Sequence, residues 1–198
     1  MKYFNTSFLC ILLLAVVGCA TSPPSRFYLL SAPSLQPMVE QEHKQTKQVS
    51  LQVQVPDYLD RPQIMLREGT HRLSLSEMDR WAEPLSRMLT RTLAQHLASG
   101  PVPVQVNAPG AVREETRIWI QILRLDGKPG DRVTLEANWQ ISPSDNINRV
   151  HSFSATAPAS GQGMGGLVQA HEQLVQELAS VLTQALQREF GGSKEANP

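Results

Sequence analysis

The sequence predicts an α+β fold: a largely antiparallel or mixed β-sheet with two main helices packed on one face, in a single domain. Three observations carry that prediction. Several stretches alternate strictly, most clearly "RVTLEANWQI", where Val133, Leu135, Ala137, Trp139 and Ile141 are apolar and Arg132, Thr134, Glu136, Asn138 and Gln140 are polar. Half-polar strands of this kind suit a sheet with one wet face. Two other stretches repeat apolar residues every three or four positions, the mark of amphipathic helices. The order is strands, helix, strands, helix, and 198 residues of 41% hydrophobic content suffice for one core.

The first 18 residues stand apart from that domain. Lys2 supplies a minimal positive start, and Phe8 to Val17 form an apolar run too short to span a bilayer but right for a signal peptide. The run ends in "LAVVGC", which resembles the lipobox of bacterial lipoproteins. The resemblance implies that Cys19 carries an S-linked diacylglycerol and an N-acyl chain. Cys10 leaves with the signal, so the mature chain has no second thiol to pair, and folding rests on burial. Several acyl chains on one residue anchor durably, at about 0.8 kcal/mol per buried methylene. Ala20 in place of aspartate resembles the outer-membrane sorting pattern of enteric-type bacteria. Residues 19–25 then form a short tether, whose "ATSPPS" reaches roughly 20 Å when extended and is stiffened by Pro23-Pro24. The domain, residues 26–190, is thereby expected close to the bilayer, and residues 191–198 form a polar tail.

Within the domain, "RFYLLS" (Arg26 to Ser31) reads as the first strand, and the Gln-rich stretch from Ala32 to Gln48 as an exposed, mobile loop. "VSLQVQV" places Leu51, Val53 and Val55 on one face of a strand. "QIMLREGTHRLSL" has apolar arms around Glu68-Gly69, the pattern of a hairpin. From Met78 through Trp81, Leu85, Leu89 and Leu93 to Leu97 the spacing becomes helical, with Ser76 and Asp79 placed to cap. Pro84 costs about 3 kcal/mol in a helix interior, so a short first turn, a break, and a main helix with Pro84 in its first turn are expected. That helix ends at Ser99-Gly100-Pro101.

"VPVQV" predicts a short edge strand because of its proline. "RIWIQILRL" predicts a strand whose phase slips near Ile122-Leu123, as at a bulge. "DGKPGD" is a turn cluster, and "VHSFSATA" alternates more weakly. The last helix is expected from Gly165 to Arg188, with Leu167, Ala170, Leu174, Leu178, Val181 and Ala185 on its core face.

The chemistry-bearing motifs are sparse. Eighteen basic residues balance eighteen acidic ones, which argues against nucleic acid as a partner. Gly161, Gly163 and Gly166 match the G-x-G-x-x-G phosphate fingerprint, yet the strand before them alternates and no acid-ended strand follows. A glycine-rich approach to the last helix is the better reading. His171-Glu172 starts like a zinc-peptidase motif, but Val175 stands where the second histidine belongs. His43, His71, His96 and His151 show no ligand spacing. Asp57 and Asp60 in "VPDYLDRPQIM" are the remaining acid–base candidates. Their prolines and Arg61 favour local pairing and capping instead. No catalytic residue, metal or cofactor is expected beyond the lipid on Cys19.

That same stretch, followed by "DRWAEPLSRMLTRTLAQHL", resembles the PqiC family of ABC-type transport auxiliary lipoproteins. "SRFYLL", "LEANWQI" and "LVQAHEQLVQELA" match in order, so the likeness covers about Ser25 to Leu186. It implies a periplasm-facing, non-catalytic lipoprotein at the inner leaflet of the outer membrane. Its partners would be an MCE-domain protein (PqiB-like) and an integral inner-membrane subunit, in a system that moves lipid and supports envelope integrity. A symmetric partner would favour a homo-oligomer, even a ring. Tyr58, Leu59, Arg61 and Trp81 are the partner-binding candidates, with Pro56, Pro62, Glu83 and Pro84 shaping the fold around them. The alternative, a carrier that shields an acyl chain in its own cavity, requires a roomy apolar pocket.

Overall fold

The structure is a computed structural model that describes residues 23–31, 46–107, 116–143, 149–161 and 163–191. The signal peptide, Cys19, His43, most of the Gln-rich stretch and the tail lie outside them. Among the described residues eight strands form one mixed sheet: β1 (Arg26–Tyr28), β2 (Lys47–Gln54), β3 (Gln63–Arg67), β4 (Leu73–Trp81), β5 (Val104–Asn107), β6 (Thr116–Gly127), β7 (Arg132–Pro143) and β8 (His151–Pro158). The helices among the described residues are α1 (Leu85–Ala98) and α2 (Gly163–Gly191). The expected α+β class is therefore observed.

The sheet forks around β6. One edge of β6 pairs antiparallel with β7, which pairs in turn with β8. The other edge is shared. Its first half, Thr116 to Gln121, pairs parallel with β2, and its far end at Gly127 meets Leu66 of β3. Beyond β2 lies β5, and beyond β3 lie β4 and then β1. The "VPDYLDRP" stretch therefore bridges two strands that border the same neighbour.

The bulge expected in β6 is present, as a register shift between Ile122 and Arg124. The hairpin around Glu68-Gly69 is also present, as β3 and β4. β5 is an edge strand, as its proline requires. Lys47 and Gln48, expected in the loop, belong to β2 instead, where they pair with Val104 and Gln105.

The segment before Pro84 departs from expectation. Met78 to Trp81 belong to β4, and Asp79 caps no helix. Arg26 reaches it from the first strand, Nε to Oδ1 at 2.7 Å and Nη2 to Oδ2 at 2.9 Å, while Tyr28 and Ser76 donate through their hydroxyls. A strand edge with four such donors outcompetes a single helical turn, whose nucleation is costly. Pro84 stands just ahead of the helix, as its N-cap residue.

α1 lies over β2 and β5, α2 lies over β7 and β8, and the two helices touch. They run the same way: Trp81, just before α1, meets His171 near the start of α2, and Gly100, just after α1, approaches Thr183. Between them and the sheet, Leu51, Met88, Leu93, Ile120, Leu135, Leu174 and Leu182 are buried. α2 begins two residues earlier and ends three later than expected. Its buried stripe includes Val168, Val175 and Ala179, whereas Val181 and Ala185 are only half-buried.

Candidate functional site

The turn from Pro56 to Pro62 is built by proline and then fixed from outside. The Pro56 carbonyl accepts from the amides of Leu59 (2.9 Å) and Asp60 (3.2 Å), and the Leu59 carbonyl accepts from Arg61 at 2.8 Å. The Pro62 carbonyl accepts from the amide of Trp81 at 2.7 Å, tying the turn to the end of β4. Asp60 then solves a problem created by Pro84. A proline N-cap offers no side-chain oxygen, and Asp60 supplies one from across the fold, accepting from Ser86 N and Ser86 Oγ, both at 2.9 Å. Its negative charge also sits favourably at a helix N-terminus. Glu83 accepts from Arg91, with Nη2 at 2.8 Å, and pins the same first turns.

Behind the turn lies a buried charge cluster. Asp126 is fully buried and accepts from Arg67 Nε at 2.9 Å, Arg67 Nη2 at 2.5 Å and Arg124 Nε at 3.0 Å. Burial works to raise its pKa, but the hydrogen bonds and charges of Arg67 and Arg124 outweigh that and hold it below the ordinary carboxylate value. Strand alternation puts Asp126, with its partner Thr134, on the sheet face opposite Leu125 and Leu135. The face expected to be wet is thus dry at this end. Tyr58 is half-buried, and its hydroxyl pKa is raised, first by burial and then by the Asp126 charge.

The four docking candidates separate cleanly. Leu59 and Trp81 are 2% and 4% exposed. They present no surface, and their role is to hold the turn in the core. Tyr58 is partly exposed, and Asp57 and Arg61 are both exposed. Among the described residues neither Asp57 nor Arg61 has an ion-pair partner. Asp57 and Asp60 do not act as a pair, because Asp60 is committed to Ser86.

The other motifs have structural explanations. Gly161 and Gly163 adopt φ of 108° and 66°, and a Cβ on Gly166 would strike the Ser160 carbonyl, so the fingerprint glycines serve the bend into α2. His171 is buried, its Nδ1 2.8 Å from the Leu167 carbonyl and its ring edge-on to Trp81 at 5.5 Å. Burial lowers its pKa. Glu172 accepts from the Ser31 amide at 2.7 Å, fastening the end of the first strand segment to α2. Among the described residues no group of three His, Cys, Asp or Glu is placed to hold a metal, and no helix is long and apolar enough to cross a membrane.

Sequence reasoning missed the Asp126 cluster, since Arg67 and Asp126 are 59 residues apart. It also missed a cleft between the β7–β8 edge and the C-terminal half of α2, lined by Trp139, Ile141, Arg149, His151, Arg188 and neighbouring residues.

These features define a single-domain α+β module built around a braced, partly charged turn. Residues 28–188 match the model of the ABC-type transport auxiliary lipoprotein component family, and the chain belongs to that family. The PqiC-type resemblance of its sequence is thereby borne out. The fold is shared with the crystal structure of an uncharacterized protein, 16% identical, covering 83% of this chain and 99% of that one at a TM-score of 0.71. A Xanthomonas campestris protein of family DUF330 is 17% identical over 80% of this chain and 93% of its own, at a TM-score of 0.64. No curated protein matches. The family makes the chain a transport auxiliary lipoprotein, an accessory role in transport with membrane anchoring as its ordinary setting.

Proposed function

We propose that this chain is a non-catalytic docking subunit of an MCE-type lipid transport system, held at the inner leaflet of the outer membrane by acyl groups on Cys19. The observation that carries the reading is the turn itself. It is fixed through the Pro62 carbonyl, the Asp60 cap and the buried Leu59, yet it leaves Asp57 and Arg61, beside Tyr58, exposed and without ion-pair partners among the described residues. Rigid loops that expose tyrosine and arginine are suited to partner binding, because little conformational entropy is lost on docking.

In this reading the short tether keeps the domain at the bilayer, and the turn meets the far end of an MCE-domain tunnel whose base is held by an inner-membrane subunit. A ring-shaped partner presents equivalent surfaces, which favours self-association of the lipoprotein. The Tyr58→Ala/Arg61→Ala variant should lose pull-down of the MCE-domain partner while its thermal unfolding changes little. Unfolding that collapses together with binding would mean that the turn only shapes the fold. Mass spectrometry of the mature N-terminus tests the anchor: an unacylated Cys19 would remove the membrane half of the proposal.

A further inference from the structure

We propose that the cleft between the β7–β8 edge and α2 binds an anionic amphiphile, a phosphate or carboxylate head on an aliphatic stem. The cleft has a volume of about 440 Å³, within the roughly 300–1,000 Å³ typical of small-molecule sites. Its floor is apolar, formed by Trp139, Ile141, Val181 and Ala185. Its rim carries Arg149 and Arg188 against one carboxylate, Glu189, so the arginines leave one net positive charge. Among the described residues neither arginine has an ion-pair partner, unlike Arg26, Arg67, Arg72, Arg91 and Arg124.

A second observation points the same way. The Trp139 indole is 6% exposed and stacks on the His151 ring at 4.4 Å, yet among the described residues its Nε1–H has no hydrogen-bond partner. Leaving a buried donor unsatisfied costs about 1–3 kcal/mol. An oxygen acceptor on a bound head group, admitted by a shift of the exposed His151 ring, would satisfy it. Arginine suits such a head because it binds phosphate and carboxylate oxygens with two parallel hydrogen bonds. The half-buried Val181 and Ala185 offer an aliphatic stem the apolar contact that the head cannot use.

The cleft also lies far from the first strand. Strand order β1-β4-β3-β6-β7-β8 puts five strand spacings, about 24 Å, between the first strand and the edge that bears His151. This assignment stands on the cleft alone and is unaffected if the turn proves not to dock a partner.

Calorimetric titration of the full mature protein tests it with three probes: dodecyl phosphate below its micellar concentration, dodecyltrimethylammonium, and inorganic phosphate. Dodecyl phosphate should bind at least tenfold more tightly than either of the others. Arg149→Ala/Arg188→Ala should weaken it at least tenfold with an unchanged melting temperature. Ala185→Phe, which fills the floor, should weaken it without touching the charges. Equal binding of the trimethylammonium, or arginine variants that bind normally, would overturn the role of the rim. Inorganic phosphate binding as tightly as dodecyl phosphate would overturn the amphiphile and leave a free anion as the ligand.

Discussion

Two corners of this molecule combine an aromatic ring with arginines, and they treat their charges in opposite ways. Behind the turn, Asp126 receives hydrogen bonds from two arginines and stands near Tyr58, so both arginines there have an ion-pair partner. At the β7–β8 edge, Arg149 and Arg188 flank the Trp139–His151 stack with no ion pair among the described residues, and the indole N–H is unsatisfied. The first arrangement maximises rigidity, because a buried ion is tolerable only when its hydrogen bonds are complete. The second leaves binding capacity unspent. Charge placement, rather than charge content, separates scaffold from candidate site.

The largest effect expected is at the matched corner. Asp126→Ala leaves Arg67 and Arg124 facing each other without their carboxylate and should destabilise by about 3–5 kcal/mol, read from urea unfolding. A loss under about 1 kcal/mol would show that this corner is as slack as the other.

Acid should sharpen the contrast in two stages. The folded pKa of His171 is lowered by burial, so the unfolded chain takes up a proton first. Stability should fall as the pH drops below the unfolded value of about 6.5, by about 1.4 kcal/mol per pH unit until the folded histidine also titrates. Asp126 and Asp79 act later. Their folded pKa values are depressed, so their contribution is complete above about pH 4 and is lost as pH falls through the lower, folded values. For Asp79 the Arg26 hydrogen bonds are the leading cause, acting against burial, with Ser76 and Tyr28 adding. Chemical denaturation at stepped pH should show the histidine phase shrink in His171→Leu to the part left by His96, whose pKa burial also lowers, while the carboxylate phase persists.

Smaller still is the cap. Asp60→Ala removes the acceptor for Ser86 and should cost about 1 kcal/mol, with early loss of amide exchange protection in the first turn of α1. The smallest effect belongs to the unmatched corner, where Arg149→Ala/Arg188→Ala should change stability by less than about 0.5 kcal/mol. A larger loss would mean that those arginines serve the fold after all.

Much of this fold was legible in the chain. Alternation identified β7, the phase slip located the bulge in β6, and the proline in "VPVQV" put β5 at an edge, because each of these depends on residues a few positions apart. The helical spacing from Met78 misled, since Met78 and Trp81 repeat at three residues inside a strand. For the candidate site the sequence singled out the turn but not which of its side chains reach the surface. Leu59 and Trp81 looked like contact residues and are core, while Asp57, an acid–base candidate in a turn, is an exposed charge with no ion-pair partner among the described residues.

The sequence by itself determined the class of the fold, the two helices, most strand positions and the likeness to auxiliary lipoproteins, because local periodicity and ordered motifs are written along the chain. Only the tertiary structure decided that Asp79 serves Arg26, that Asp60 caps α1, that Asp126 is locked by Arg67, and that two distant arginines share one cleft. Those pairings join residues tens of positions apart. No local pattern encodes which charge will find its partner once the strands are set side by side.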